Sequence, residues 1–144
     1  MKLLKKYGQR TINLDNVSTI FVDTRKVIFH FNTSRTLKNT NNLVPDYLYW
    51  NIDESERETY QALIEGIIDE NWVQSPQHNH RIINLANVTN IGTDDYKKKV
   101  IFNFNFSVSH PYNQQDLIAG FEFWDFNNED EYEQTKINLN KVGE

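Results

Sequence analysis

The sequence contains no cysteine among its 144 residues. Disulfide bonds, thiolate zinc sites and cysteine nucleophiles are therefore excluded. Glycine and proline are also scarce, at five and three residues, and every glycine stands alone. Glycine-rich phosphate loops and dinucleotide-binding fingerprints are thus missing, as is a G-x-S-x-G nucleophile motif. Because no catalytic or cofactor signature is present, we expect a protein that is not an enzyme and that uses no cofactor or metal.

Long apolar runs are missing too. The first ten residues, MKLLKKYGQR, contain two adjacent leucines between lysines, far short of the ~7–15 apolar residues of a signal peptide. No run approaches the ~18 apolar residues of a membrane span. These features favour a cytoplasmic protein that does not enter a membrane. Abundant asparagine indicates AT-rich coding and favours a bacterial or mobile-element origin.

Aromatic residues, in contrast, are plentiful, with nine Phe, seven Tyr and three Trp. Each buried aromatic side chain removes ~150–250 Å² from water. The chain can therefore build a packed core although only 38% of its residues are hydrophobic. Its length fits one domain, or two small units that share a core.

Three sequence blocks occur twice, in the same order. They are RTINLDNVSTI at 10–20 with RIINLANVTNI at 81–91, KVIFHFN at 26–32 with KVIFNFN at 99–105, and DYLYWN at 46–51 with GFEFWD at 120–125. The first pair is identical at seven of eleven positions and the second pair differs at one. Because order and spacing both hold, the pattern predicts an internal duplication.

Each repeat is predicted to be a ββββα unit. Apolar residues alternate in the strand segments, whereas residues 54–70 carry apolar side chains at helical spacing. The counterpart at 128–141 has a thinner apolar stripe and could be a short helix, or a strand at 137–140. The expected fold class is α+β, with antiparallel sheets, one helix per repeat and a pseudo-twofold relation. The first repeat spans 1–73, a connector 74–78 and the second repeat 79–144, and the two repeats are expected to form one compact domain.

Two tryptophans occupy matched positions, Trp50 and Trp124. We expect each helix to cover the sheet face that carries Phe29 or Phe102, with both tryptophans on the opposite face. There they would either fill an interface between the repeats or form an exposed platform for stacking. The order of elements resembles that of the tandem ββββα modules in the PUR and Whirly families of single-strand-binding proteins. The Asn-x-Arg-Gly-Arg-Phe stretch of the PUR family has no counterpart, and no residues are transferred.

The charge is distributed unevenly around a net value of −5. Residues 1–45 carry +6 and residues 46–73 carry −7, while 74–118 carry +1 and 119–144 carry −5. Strands one to three of each repeat are thus neutral or basic, and the final strand and helix are acidic. The pattern is typical of solvated acidic helices, but it also permits a basic sheet that attracts anions.

Histidines offer the remaining candidate chemistry. His78 and His80 form an H-x-H pair in the connector, but no further metal ligand lies close in sequence, so connector polarity is the favoured interpretation. His30 stands alone on a strand and is replaced by Asn103 in the second repeat, which favours a structural or surface role. His110 precedes a proline and is typical of a turn.

The sequence therefore predicts a small non-enzymatic binding protein. The favoured function is a protein–protein interaction module, acting through the acidic helices or an exposed sheet edge. The alternative is single-stranded nucleic-acid binding, in which bases stack on aromatic side chains and cations hold the phosphates. The candidate binding face for that function comprises Trp50, Trp124, Arg10, Arg81, Arg25, Lys26, Lys98 and Lys99. The oligomeric state and the identity of a partner are not predicted.

Overall fold

The computed structural model describes residues 2–69, 71–75, 81–113 and 115–142. Alternating apolar residues form strands, and two segments with helical spacing form helices. The strands are β1 (Leu3–Leu4), β2 (Ile12–Asn13), β3 (Val17–Val22), β4 (Lys26–Thr36), β5 (Leu43–Asn51), β6 (Trp72–Gln74), β7 (Arg81–Asn84), β8 (Val88–Asp94), β9 (Lys99–Ser109) and β10 (Leu117–Asp125). The helices are α1 (Arg57–Glu65) and α2 (Glu129–Val142).

The strands assemble into three sheets of unequal size. Strands β1 and β2 form a two-stranded ribbon, five strands follow the order β5-β4-β3-β7-β6, and three follow β10-β9-β8. The strand pairs are antiparallel. The predicted α+β class, with antiparallel strands and two helices, is confirmed. The five-stranded and three-stranded sheets are uneven, and β7 of the second predicted repeat pairs with β3 of the first.

Helix α1 begins after a 3₁₀ turn at Glu54–Glu56. The Asp53 backbone N–H, which no residue of the helix can accept from, donates to the Glu56 carboxylate at 2.9 Å. Helix α2 begins where the Asn128 side chain accepts hydrogen bonds from the backbone N–H groups of Asp130 and Glu131. Because α2 continues through Val142, the alternative of a strand at 137–140 is wrong.

The first core lies between α1 and one face of the five-stranded sheet. Trp50 stands directly opposite Val27 in the β4–β5 register, so the two side chains share a face. The Trp50 ring meets Phe29 edge to face, with ring centroids 4.8 Å apart, and Tyr60 of α1 at 6.3 Å. The expectation that Trp50 lies on the face opposite the helix is therefore wrong.

The second core repeats this packing around α2. Trp124 stands opposite Val100 in the β9–β10 register, and its ring meets Phe102 at 4.7 Å. The placement predicted for Trp124 is wrong for the same reason. Buried Ile83, on β7 of the five-stranded sheet, also belongs to this second cluster. The two parts of the chain therefore meet through β7, which pairs with the first sheet and packs into the second core.

Candidate binding surfaces

Neither tryptophan is available for stacking. Trp50 is 0% exposed and Trp124 is 5% exposed. The Trp50 Nε1 donates to the Arg10 carbonyl oxygen at 2.7 Å, whereas the buried Trp124 Nε1 has no partner among the described residues. Trp50 also does not fill an interface between the repeats, because its ring partners Phe29 and Tyr60 belong to its own repeat.

The exposed aromatic residues are instead their strand neighbours. Tyr47 and Tyr49, here called the tyrosine strip, are 45% and 42% exposed. Phe121 and Phe123, the phenylalanine strip, are 45% and 41% exposed, and their rings stack 6.4 Å apart. Because side chains alternate along a strand, burying both tryptophans turns these four aromatics towards solvent. The alternation was readable from the sequence, but which face the helix covers was not.

Cations lie over both strips. Lys26 Nζ is 4.3 Å from the centre of the Tyr49 ring, and Lys99 Nζ is 4.3 Å from that of Phe123. The Arg35 guanidinium lies 5.0 Å from the Tyr47 ring. Cation–π pairs at exposed sites stabilise by only ~0.5–1 kcal/mol, so Lys26 can leave its ring to bind an anionic ligand. Lys99 and Arg35 are also paired with carboxylates, Lys99 with Asp125 at 3.5 Å and Arg35 with Asp46 at 3.9 Å. Arg35 was absent from the predicted site because it follows the repeated block.

A groove of about 560 Å³ opens beside the tyrosine strip. Its lining includes both tyrosines together with Arg10, Arg35 and Asp46. The Arg35 Nε lies 3.9 Å from the Asp46 carboxylate, so one of the two arginines is already paired. The groove therefore combines aromatic faces with cationic side chains, which is the composition that stacked, negatively charged ligands require.

The other predicted cations do not converge on this groove. Arg81 joins the two sheets, where its Nη1 bonds the Glu122 carboxylate at 2.6 Å and its guanidinium lies 4.9 Å from the Phe21 ring. Burial raises the pKa of the Glu122 carboxyl, and the Arg81 charge partly offsets that rise. Lys98 pairs with Glu129 at the start of α2, at 3.5 Å. Arg25 is exposed in the turn between β3 and β4.

A different kind of surface lies at strand β8. Among the described strands β8 pairs only with β9, whereas β3, which carries the matching sequence, lies between β4 and β7. Ile91 stands opposite buried Phe102, yet it is 40% exposed, while Ile20 opposite Phe29 is 0% exposed. We call Asn90, Ile91 and Gly92 the β8 edge. Because no described strand pairs with its outer side and its isoleucine is exposed, the β8 edge is available to a further strand.

The histidines provide no catalytic arrangement in the described part of the chain. Burial lowers the pKa of His30, and the Arg81 charge lowers it further. The His110 Nδ1 accepts hydrogen bonds from the backbone N–H groups of Tyr112 and Asn113, which fixes a turn. The predicted pair His78 and His80 lies outside the described residues.

Within the ranges described above, no three His, Asp or Glu side chains cluster as metal ligands would. None of the helices in those ranges is long and apolar enough to cross a bilayer. No protein-family model matches this chain, and no curated protein or solved structure shows a significant similarity to it.

Proposed function

We propose that the two halves are copies of one unit, each a two-stranded ribbon followed by a three-stranded sheet and a helix. Two of the matched strand pairs have equal lengths, 11 residues in β4 and β9 and nine in β5 and β10. The asparagine before each 3₁₀ turn has nearly the same backbone angles, φ −86° and ψ 107° at Asn13, φ −85° and ψ 106° at Asn84. The paired Phe and Trp rings also match, at 4.8 and 4.7 Å.

In this proposal the uneven sheets have a simple origin. The ribbon β6–β7 corresponds to β1–β2, because Leu85 N–H donates to the Asn71 carbonyl at 2.7 Å and Leu14 N–H donates to the Lys2 carbonyl at 2.8 Å. The second ribbon pairs with β3 and extends the first sheet from three strands to five. Among the described residues, the first ribbon pairs with no further sheet, and no ribbon pairs with β8. The second unit accordingly begins before Trp72, ahead of the predicted connector.

The function that the geometry supports best is a non-enzymatic protein-interaction module that receives a strand from its partner at the β8 edge. The observation that carries this proposal is the contrast between exposed Ile91 and buried Ile20 in matched strands. In an antiparallel ladder, backbone groups point alternately to either side. The Asp23 N–H bonds the Lys26 carbonyl at 2.8 Å, so Ile20 and Val22 direct their backbone groups away from β4. Their counterparts on β8 are Ile91 and Thr93.

A peptide with the sequence of residues 71–87 tests this function, because residues 81–83 of that segment pair with the corresponding edge of β3. We expect the peptide to bind the intact protein and to slow amide hydrogen exchange in residues 88–94. The variant Ile91→Pro should lose this binding, since proline removes one outward N–H that the added strand requires. Ile91→Val is the matched control, because it changes the same residue but keeps the outward N–H and a β-branched side chain, so it should still bind the peptide. Equal exchange rates with and without the peptide would contradict the proposal.

The second candidate function is single-stranded nucleic-acid binding on the tyrosine and phenylalanine strips rather than on the tryptophans. The specific observation in its favour is that Lys26 and Lys99 lie over exposed rings at matched positions. Base stacking on such rings contributes ~1–3 kcal/mol per base. The net charge of −5 opposes this function, since it repels phosphates at long range.

For this second function, a fluorescently labelled oligothymidine should gain anisotropy on titration with the protein at low salt. Removing one base stack and one phosphate contact in Tyr49→Ala/Lys26→Ala should weaken binding ~tenfold or more. Binding should also weaken as salt is raised. Tyr96→Ala is the matched control, because Tyr96 is exposed in the β8–β9 turn and lies outside both strips. Unchanged anisotropy at the lowest salt concentration would exclude this function.

A further inference from the structure

We propose that the partner at the β8 edge is a second copy of this chain, whose β1–β2 ribbon supplies the missing strand. The inference rests on the proposed function and names its partner. Each copy would give its ribbon to one neighbour and receive a ribbon from another at its own β8 edge. The chains would therefore associate head to tail.

The template for this contact is the junction already present inside the chain. Strand β7 pairs with β3 through Thr19 opposite Ile83, Ile20 opposite Ile82 and Phe21 opposite Arg81. The matching residues of β8 are Asn90, Ile91 and Gly92, and those of the first ribbon are Ile12, Thr11 and Arg10. Transferring the register places Ile12 opposite Asn90, Thr11 opposite Ile91 and Arg10 opposite Gly92.

The first ribbon has a free side for this pairing. Among the described strands β2 pairs only with β1, through Leu4 opposite Ile12 and Leu3 opposite Asn13. Arg10 and Thr11 are exposed, whereas Ile12 is already buried against its own core. Strand β7 is likewise held by β6 on one side and offers its other side to β3. The two ribbons thus present the same edge, and only the second one is occupied.

Two asparagine side chains stabilise the internal junction, meaning the contact of β7 and its following turn with the first unit. The Asn84 side-chain amide donates to the Val17 carbonyl at 3.0 Å, and that of Asn87 donates to the Val17 carbonyl at 2.8 Å and the Asp15 carbonyl at 3.2 Å. Both side chains are buried. They therefore join the second ribbon and its turn to the turn of the first unit.

The matched asparagines of the first unit are Asn13 and Asn16, and in the described part of the chain they make no such contact between the units. The Asn13 Oδ1 accepts from the Asp15 N–H at 3.1 Å, as the Asn84 Oδ1 accepts from the Ala86 N–H at 3.1 Å. In both units this side-chain oxygen therefore stabilises the turn. The amide N–H groups of Asn13 and Asn16 donate to no partner among the described residues, and Asn16 is exposed. In the head-to-tail contact these donors meet the carbonyls of Ala86 and Val88 in the neighbouring copy.

The contact between chains should be weaker than the internal one. The position that matches Phe21 is Gly92 in β8, so the cation–π contact made by Arg81 has no counterpart at Arg10. The position that matches Glu122 is Leu48 in β5, so the ion pair between Arg81 and Glu122 at 2.6 Å also has no counterpart. The interface is heterologous, meaning that its two surfaces differ, and each added copy leaves a new free edge. We expect reversible, concentration-dependent chains or rings.

Sedimentation velocity on the full chain tests this inference. Wild-type protein should form species beyond dimers as its concentration is raised. The double variant Asn13→Asp/Asn16→Asp keeps the oxygen that caps the turn but directs carboxylates at carbonyl oxygens, so it blocks the ribbon. Ile91→Pro blocks the β8 edge. Each variant should associate ~tenfold or more weakly than wild type, and an equal mixture should form dimers and nothing larger, because one competent contact remains.

Two controls match these changes. Asn41→Asp/Asn127→Asp adds the same charge at exposed asparagines outside the contact, and Ile91→Val changes the β8 edge but keeps its outward N–H and a β-branched side chain. Both should associate like wild type. The inference is overturned if wild-type protein stays monomeric at every concentration, or if both blocking variants associate as strongly as wild type. If wild type is monomeric and the 71–87 peptide still binds, the strand-accepting edge stands and its partner is another protein. If the peptide also fails to bind, both proposals fail.

Discussion

Replacing Asn87 with alanine is expected to lower the free energy of unfolding by about 1–3 kcal/mol, because a buried amide that makes hydrogen bonds is lost. The Asn87 amide donates to two carbonyls of the first unit, and its Oδ1 accepts from Asn32 at 3.3 Å. Its removal leaves the Asp15 carbonyl without this donor and opens a small void. Urea denaturation of the two proteins measures the difference.

The matched control is Asn16→Ala. Asn16 occupies the same position of the repeated turn, but it is exposed and its side chain makes no hydrogen bond to the described residues. Its replacement should change the unfolding free energy by less than about 0.5 kcal/mol when the protein is dilute. Equal losses for the two variants would mean that the asparagine stabilises the turn itself, and would contradict a contribution of Asn87 to the contact between the units.

Much of the local structure could be predicted from the sequence because it depends on short-range patterns. Alternation in KVIFHFN and KVIFNFN predicted β4 and β9, and helical spacing after Asp53 predicted α1. The end predicted for this helix, near residue 70, is wrong, because α1 ends at Glu65. Helix α2 carries few apolar residues, and its stability comes from contacts that sequence spacing does not show. The Tyr132 hydroxyl and the Lys136 ammonium both donate to Asp95 in the β8–β9 turn, at 2.6 and 3.0 Å.

The face that each tryptophan occupies could not be predicted, because it depends on strand register. A loop separates β4 from β5, and shifting their pairing by one residue exchanges the two faces. The observed register places Trp50 opposite Val27 and exposes Tyr47 and Tyr49. The candidate binding surface therefore moves from the tryptophans to the residues beside them. Lys26 and Lys99 remain part of it, because they lie over the exposed rings.

The sequence also could not predict that the outer side of β8 lacks a paired strand among the described residues. The repeated block predicted a strand at both β3 and β8, although Gly92 and Thr93 stand in β8 where β3 has Phe21 and Val22. What distinguishes them is that a later ribbon follows the first unit and pairs with β3, while no described ribbon follows the second. Occupancy of a sheet edge is a long-range property. It appears only when all strands are placed.

The central claim is that the two halves follow the same chain path, and the alanine variants of Phe29 and Phe102 test it most directly. Both rings are 0% exposed and meet a tryptophan edge to face. Phe29→Ala and Phe102→Ala should each lower the unfolding free energy by ~3–5 kcal/mol in urea denaturation, because each leaves a cavity in a matched core. Phe121→Ala, at an exposed position, is the control and should cost much less. Similar losses for Phe29 and Phe102 would support the claim, whereas a small loss for either one would contradict it.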